Sequence, residues 1–351
     1  MNFKLSTIFF YVFFTISLTA YGLNPGKMII TGFKGTSPTQ KQVIELKQKI
    51  DEQKIGGIIL FKRNIVNKQQ LIELVQFLKK DTPIFVAIDH EGGIVNRLTH
   101  SSFNLKTPSP ERFCKLEPKQ QSSIAHTISD ELTALGINTN LGGVVDIAPL
   151  IESSSICQYK RCFGDSETII SKCNQVLFNA HNKKNVFFAL KHFPGHGSTP
   201  VDSHYFLPDI SKNHTGHDYM PYYNLINDNK SPYIMVMIGH LMDKNVDSKY
   251  PASLSKSHID ILKKQLKFEG LIITDDLNMG ALYNVSKNKS VIAKQAALAG
   301  NDLLLYEYLS LDDIEKINKT LLISARDSSA LRTNILNSES KINKNLALNA
   351  D

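Results

Sequence analysis

The stretch VFFALKHFPGHGSTPVDSH, residues 186–204, sets five consecutive apolar residues directly before a loop carrying a lysine, three histidines, an aspartate and a Pro-Gly turn. An apolar run that short, rich in Val and Phe and without polar alternation, reads as a strand buried on both faces, as in a parallel sheet. Seven further runs share this character: Met28 to Gly32, Gly57 to Phe61, Ile84 to Ile88, Ile137 to Val145, Tyr233 to Ile238, Leu271 to Thr274 and Asp302 to Tyr306. Segments of helical period separate them, among them Thr39 to Glu52, Lys68 to Lys80, Lys119 to Leu135, Ser166 to His181, Ser257 to Phe268 and Ser290 to Ala299. Gly136, Gly270 and Gly300 stand where left-handed C-caps would close such helices.

Eight strand–helix repeats in a chain of 351 residues predict a single (β/α)8 TIM barrel of the α/β class. A doubly wound dinucleotide fold is disfavoured, because no G-x-G-x-x-G follows the first strand. One domain is expected over residues 23–340, followed by a polar tail, 341–351, as the frayed end of a last helix.

Residues 1–22 differ from the rest. Lys4 precedes an uncharged run from Leu5 to Ala20, a pattern that predicts a signal peptide cleaved near Ala20 or Gly22. A membrane anchor is the competing reading, but Ser6, Thr7, Thr15, Ser17 and Thr19 dilute the run. The expected product is periplasmic or secreted, with no stable membrane insertion once the leader is removed. Export would place Cys114, Cys157, Cys162 and Cys173 where disulfides form. Three pairings are possible, and Cys157 with Cys162, bracketing a short loop, is the first choice. The formal charge of +7 is spread in short pairs such as Lys183-Lys184 without a long basic run, so no nucleic-acid partner is expected.

A barrel must take its chemistry from the segments after its strands. The unusual residues fall there: DHEGG (89–93) after the third run, KHFPGHG (191–197) after the fifth, Gly239-His240 after the sixth and Asp275-Asp276 after the seventh. The loop that begins at Lys191 is long and holds two glycines, and is expected to close over a ligand.

Three motifs, IDHEGGIVNRL (88–98), KHFPGHGSTPVDSH (191–204) and ITDDLNMGA (273–281), together with RCFG (161–164) and PASLS (251–255), resemble the family-3 glycoside hydrolases, specifically the bacterial β-N-acetylglucosaminidases. The resemblance covers nearly the whole chain beyond residue 22. It implies a retaining double displacement on a GlcNAc-containing glycan, peptidoglycan fragments or chitin-like oligosaccharides, with no metal or organic cofactor. Asp275 is then the nucleophile, a task that needs an ionised carboxylate facing the barrel mouth. The bland alternative is that Asp275 or Asp276 only caps the next helix.

By the same resemblance His204 is the acid/base and Asp202 orients its ring; an imidazole can give a proton to the leaving oxygen and take one from water. A histidine in place of the second carboxylate removes a negative charge, so phosphate is expected to compete with water for the intermediate. Asp89, Arg97, Arg161, Lys191 and His192 carry over as substrate-holding residues, able to bind hydroxyls and an acetamide. Glu91 with Gly92-Gly93 carries over as a supporting turn, and His240 suits a structural bond as well as a ligand contact. Ile94 and Cys162 depart from the family pattern. Two rivals remain: a zinc hydrolase using His192, His196, Asp202 and His204, disfavoured by Pro194 and Gly195 between the first two, and a catalytically inactive wall-binding barrel.

Overall fold

A computed structural model describes residues 22–103, 105–148 and 154–348. The expected leader lies almost wholly outside these residues. Among the described residues ten strands are found, β1 (Ile29–Thr31), β2 (Gly57–Leu60), β3 (Phe85–Ile88), β4 (His90–Gly92), β5 (Val95–Asn96), β6 (Thr139–Val144), β7 (Phe187–Phe193), β8 (Ile234–Ile238), β9 (Leu271–Thr274) and β10 (Leu304–Tyr306). The helices are α1 (Lys41–Asp51), α2 (Lys68–Lys79), α3 (Pro110–Cys114), α4 (Pro118–Ala134), α5 (Glu167–Asn182), α6 (Met220–Asp228), α7 (Lys256–Asp260), α8 (Lys289–Ala299), α9 (Leu311–Asp327) and α10 (Ser329–Ala347).

Eight strands form one parallel sheet in the order β10-β1-β2-β3-β6-β7-β8-β9. The two ends meet at a parallel bridge between Ile273 and Leu303, where the Leu303 N–H donates to the Ile272 carbonyl at 2.9 Å. The sheet thus closes into the expected barrel, and each expected apolar run supplies one strand. Every residue of the eight barrel strands is buried, as a sheet lined by side chains inside and covered by helices outside requires. The remaining two strands, β4 and β5, make an antiparallel hairpin at the barrel mouth. Its turn uses Gly92 and Gly93 at φ 94° and 58°, in the left-handed region.

Four expectations need correction. The strand expected to end at Leu190 runs on to Phe193, so Lys191 and His192 stand on β7 itself rather than on a loop. The helix expected over Ser257 to Phe268 is an α turn followed by a π turn, Ile261–Gln265. Gly136 and Gly300 are left-handed as expected, but near Gly270 the left-handed residue is Lys267; Gly270 is instead a close-approach site, where a Cβ would lie 2.6 Å from the Phe268 ring and 2.7 Å from the Ile234 carbonyl. The polar tail is no break either: α10 continues through residue 340 and buries Ile342, Asn345 and Leu346. Ser338 and Lys341 hold it beneath the barrel by hydrogen bonds to Asp302 of 3.0 and 3.2 Å. The tail's polarity is satisfied by the ends of the strands, which sequence pattern does not reveal.

The cysteines pair as Cys157–Cys162 and Cys114–Cys173, with Cα separations of 4.9 and 5.7 Å. The first is the expected bridge; the second staples α3 to α5.

Candidate active site

At the C-terminal mouth of the barrel a cavity of about 370 Å3 is lined by Asp89, Glu91, Arg97, Arg161, Lys191, His192, Ser203, His204, Asp275 and Asp276, with Phe61, Met237 and Met279 among its apolar walls. Seven of the eight residues expected at the site line it, and Asp202 reaches it through His204. A wider surface groove of about 720 Å3, bordered by Lys106, Arg112 and Lys119, has no carboxylate or imidazole among its lining residues, so acid–base chemistry belongs at the mouth.

Asp275 follows β9, and its N–H is held by the Ile238 carbonyl at 2.9 Å. Burial would raise its pKa, but the His192 and His240 imidazoles, the Asp276 N–H at 2.8 Å and His204 together outweigh burial and hold it down at about 2. It is therefore a carboxylate at any physiological pH. Asp276 has a different job. It accepts the N–H groups of Asn278 and Glu307 at 2.9 and 2.8 Å, and burial raises its pKa to about 6. Neither aspartate takes the capping role weighed for it, since the next helical turn, Gly280–Leu282, has Met279 at its N-cap and no side-chain cap bond, and both carboxylates line the cavity.

His204 Nδ1–H donates to Asp202 Oδ1 at 2.7 Å, and the His204 backbone N–H donates to the same oxygen at 2.9 Å. Asp202 is kept below the usual carboxylate range, its burial being more than offset by these two bonds. Two residues of spacing bring both contacts onto one turn, so the pair is built locally. The turn is then fastened to the β9 side. Gly280 N–H donates to the His204 carbonyl at 3.0 Å and Ala281 N–H to the Ser203 carbonyl at 3.2 Å. A Cβ on Gly280 would come within 2.8 Å of the His204 carbonyl oxygen and 2.7 Å of that of Tyr205, so only glycine lets the two loops meet.

The cations of the site are organised by one residue. Glu91 on β4 has a fully buried carboxylate that takes Arg161 through Nε and Nη2 at 2.8 and 2.9 Å and Lys191 Nζ at 2.6 Å. Burial opposes its charge, but Arg161 and Lys191 drive its pKa far below the usual carboxylate range. Asp89 closes the network, receiving Lys191 Nζ at 3.1 Å and Arg97 Nη2 at 3.3 Å. Burial lowers the pKa of Lys191, yet the two carboxylates raise it above its ordinary value. The carboxylate of Glu91 is thus the hub on which Arg161 and Lys191 are mounted. The short bridge Cys157–Cys162 closes the loop that presents Arg161. Ile94 lies at the hairpin tip, 62% exposed, and is not among the cavity-lining residues.

Asp146, which follows β6, was missed by the sequence reading. Its buried carboxylate accepts from His192 Nδ1 at 2.7 Å and from the N–H groups of His192 and His196 at 3.1 and 2.7 Å. With Nδ1–H committed to Asp146, the His192 ring turns its Nε2 edge to the cavity. The rule that chemistry follows strand ends applied to Asp146 as well, and would have found it. His196 is buried, its pKa pushed down to about 4 by burial, and it bonds Ser203 Oγ at 3.0 Å. The loop is further tied by Ser155 N–H to the Thr199 carbonyl at 2.9 Å, so in this conformation the expected closing segment is pinned.

His240 is structural. Its Nε2–H donates to the Asp276 carbonyl at 2.8 Å, which makes Nδ1 the acceptor of the Ser253 hydroxyl at 2.7 Å. Of the four residues of the zinc reading, His192 bonds Asp146, His196 bonds Ser203, and Asp202 and His204 bond each other; among the described residues no three His, Cys, Asp or Glu side chains converge on a cation site.

Fold and site together define a class: a (β/α)8-barrel enzyme whose mouth combines an ionised carboxylate, an exposed imidazole–carboxylate pair and a set of fixed charged donors. The chain belongs to glycosyl hydrolase family 3, whose N-terminal domain matches residues 27–334. It is 30% identical over 320 residues to the beta-hexosaminidase A of Pseudoalteromonas piscicida, covering 84% of this chain and 52% of that protein. With the beta-hexosaminidase of Shewanella frigidimarina it shares 33% identity over 263 residues, 72% of this chain and 74% of the relative. A family-3 beta-N-acetylglucosaminidase of Paenibacillus sp. superimposes with a TM-score of 0.79 at 27% identity, over 95% of this chain and 64% of that one. The chain thus spans about half of the first relative's length and nearly two thirds of the Paenibacillus structure.

Proposed function

We propose that the protein is a retaining exo-β-N-acetylglucosaminidase that removes terminal β-linked GlcNAc from peptidoglycan fragments or chitin-like oligosaccharides, in the periplasm or outside the cell. The observation that carries this reading is the sharing of one cavity by Asp275, held ionised, and His204, whose ring is fixed by Asp202.

In the first step His204 gives its proton to the glycosidic oxygen while Asp275 attacks the anomeric carbon; the C–O bond breaks and a glycosyl ester forms on Asp275. Asp202 stabilises the imidazolium before transfer. In the second step neutral His204 takes a proton from water, whose oxygen displaces Asp275 and restores the β configuration. Lys191, Arg161 and Arg97 offer donors to the sugar hydroxyls, Asp89 an acceptor, and His192 Nε2 a further contact. Two disulfides support an oxidising compartment.

The test is hydrolysis of paired nitrophenyl β-glycosides, N-acetylglucosaminide against glucoside, by the mature protein and by Asp275→Ala. Release from the N-acetylglucosaminide, lost in the variant, is the expected result. Release from neither sugar would favour an inactive glycan-binding barrel, and release from the glucoside alone would overturn the assigned sugar.

A further inference from the structure

Beyond His204 the chain continues Tyr205-Phe206. These two side chains are 70% and 71% exposed, more than any other large apolar side chain among the described residues. Single exposed apolar residues need no explanation, but an adjacent pair of rings left in water next to the proposed acid/base forgoes a large share of the burial free energy open to it.

The backbone beneath the pair is fixed. Tyr205 and Phe206 N–H groups both donate to the Asp202 carbonyl, at 3.1 and 3.0 Å, and Gly280 N–H holds the His204 carbonyl. The rings therefore stand on the same pinned turn as the acid/base, and the Tyr205 hydroxyl has no partner among the described residues.

We propose that Tyr205 and Phe206 form an aromatic platform for the leaving-group sugar. The inference rests on the glycosidase reading. A residue that protonates the glycosidic oxygen must lie on the leaving-group side of the scissile bond. The rings that come after His204 on one fixed turn consequently border the space that the leaving group enters. The C–H face of a pyranose can lie on a ring face, and the tyrosine hydroxyl can reach its hydroxyls or acetamide. The cavity is lined by charged groups, whereas the platform beyond it is aromatic, so the platform suits a neutral saccharide as aglycone. The substrate class it favours is an oligosaccharide with at least one amino sugar beyond the cleaved unit.

The experiment compares kcat/KM for N,N′-diacetylchitobiose and for methyl β-N-acetylglucosaminide, whose methoxyl is too small to cover a ring, in the wild type and in Tyr205→Ala/Phe206→Ala. The chitobiose-to-methyl ratio is expected to fall about tenfold in the double variant, about 1.4 kcal/mol, mostly through KM for chitobiose. Phe206→Tyr, which keeps the ring, should hold the wild-type ratio. A ratio within twofold of wild type in the double variant overturns the proposal; if self-association measured by sedimentation is lost at the same time, the rings belong to an interface between copies instead. Wild-type protein that cleaves neither compound overturns the glycosidase reading itself, a result distinct from cleavage of both with an unchanged ratio.

Discussion

Replacing Glu91 with Gln tests whether one buried carboxylate mounts the cationic half of the site. The side chain is fully buried and contacts Lys191 at 2.6 Å and Arg161 at 2.8 and 2.9 Å, and these two cations are themselves only 3% and 12% exposed. At an effective dielectric constant of about 20, Coulomb's law gives each contact about 6 kcal/mol before desolvation. Desolvation of three ions offsets much of that, but removing one member leaves the others buried and unbalanced, at a cost of about 3–5 kcal/mol. Gln keeps one acceptor and turns an amide N–H toward a cation, so it does not rescue the network. Asp89 would be left to balance Lys191 and Arg97, and Arg161 would keep only the more distant fields of Asp146 and Asp89. Equilibrium unfolding in urea should show the loss as a lower midpoint with a nearly unchanged m-value. Steady-state kinetics on the nitrophenyl N-acetylglucosaminide should show KM raised at least about tenfold, since Lys191 and Arg161 lose their fixed positions. A stability loss under about 1 kcal/mol with unchanged KM would refute the reasoning.

Particular contacts have further measurable consequences. Asp276 has its pKa raised to about 6 by burial, so native protein binds more protons than unfolded protein between about pH 4 and pH 6. Its contribution to stability is therefore complete below about pH 4 and is lost as pH rises through 6; Asp276→Asn should gain about 2 kcal/mol relative to wild type between pH 4 and pH 8, and thermal melts showing no pH-dependent difference would contradict this. Gly280→Ala places a methyl against the His204 and Tyr205 carbonyls, and should lower kcat more for poor leaving groups, which need the acid, than for dinitrophenyl leaving groups, which do not; an equal loss on both would dissociate Gly280 from acid catalysis. The two disulfides should separate in their effects. Cys114 and Cys173 are 59 residues apart, so replacing both by Ala costs about 4 kcal/mol of stability in the chain-entropy model, against about 2 kcal/mol for the five-residue separation of Cys157 and Cys162; only the second pair should also raise KM, because its loop carries Arg161.

The sequence alone determined the barrel and the local half of the site. A parallel strand buried on both faces is mostly apolar, so each of the eight strands announces itself within four to nine residues, and their number limits the architecture. The Asp202–His204 pair is equally legible, because two residues of spacing suffice to build it. Tertiary structure decided what depends on strand ends meeting: Asp146 with His192 across 46 positions, Glu91 with Arg161 across 70 and Asp89 with Lys191 across 102. It also divided the Asp275-Asp276 doublet, whose carboxylates both line the cavity: Asp276 takes the N–H groups of Asn278 and Glu307, while Asp275 lies in the field of His192 and His240. Nothing within a few residues distinguishes those two aspartates, since the difference lies in which neighbours the closed barrel sets against each carboxylate.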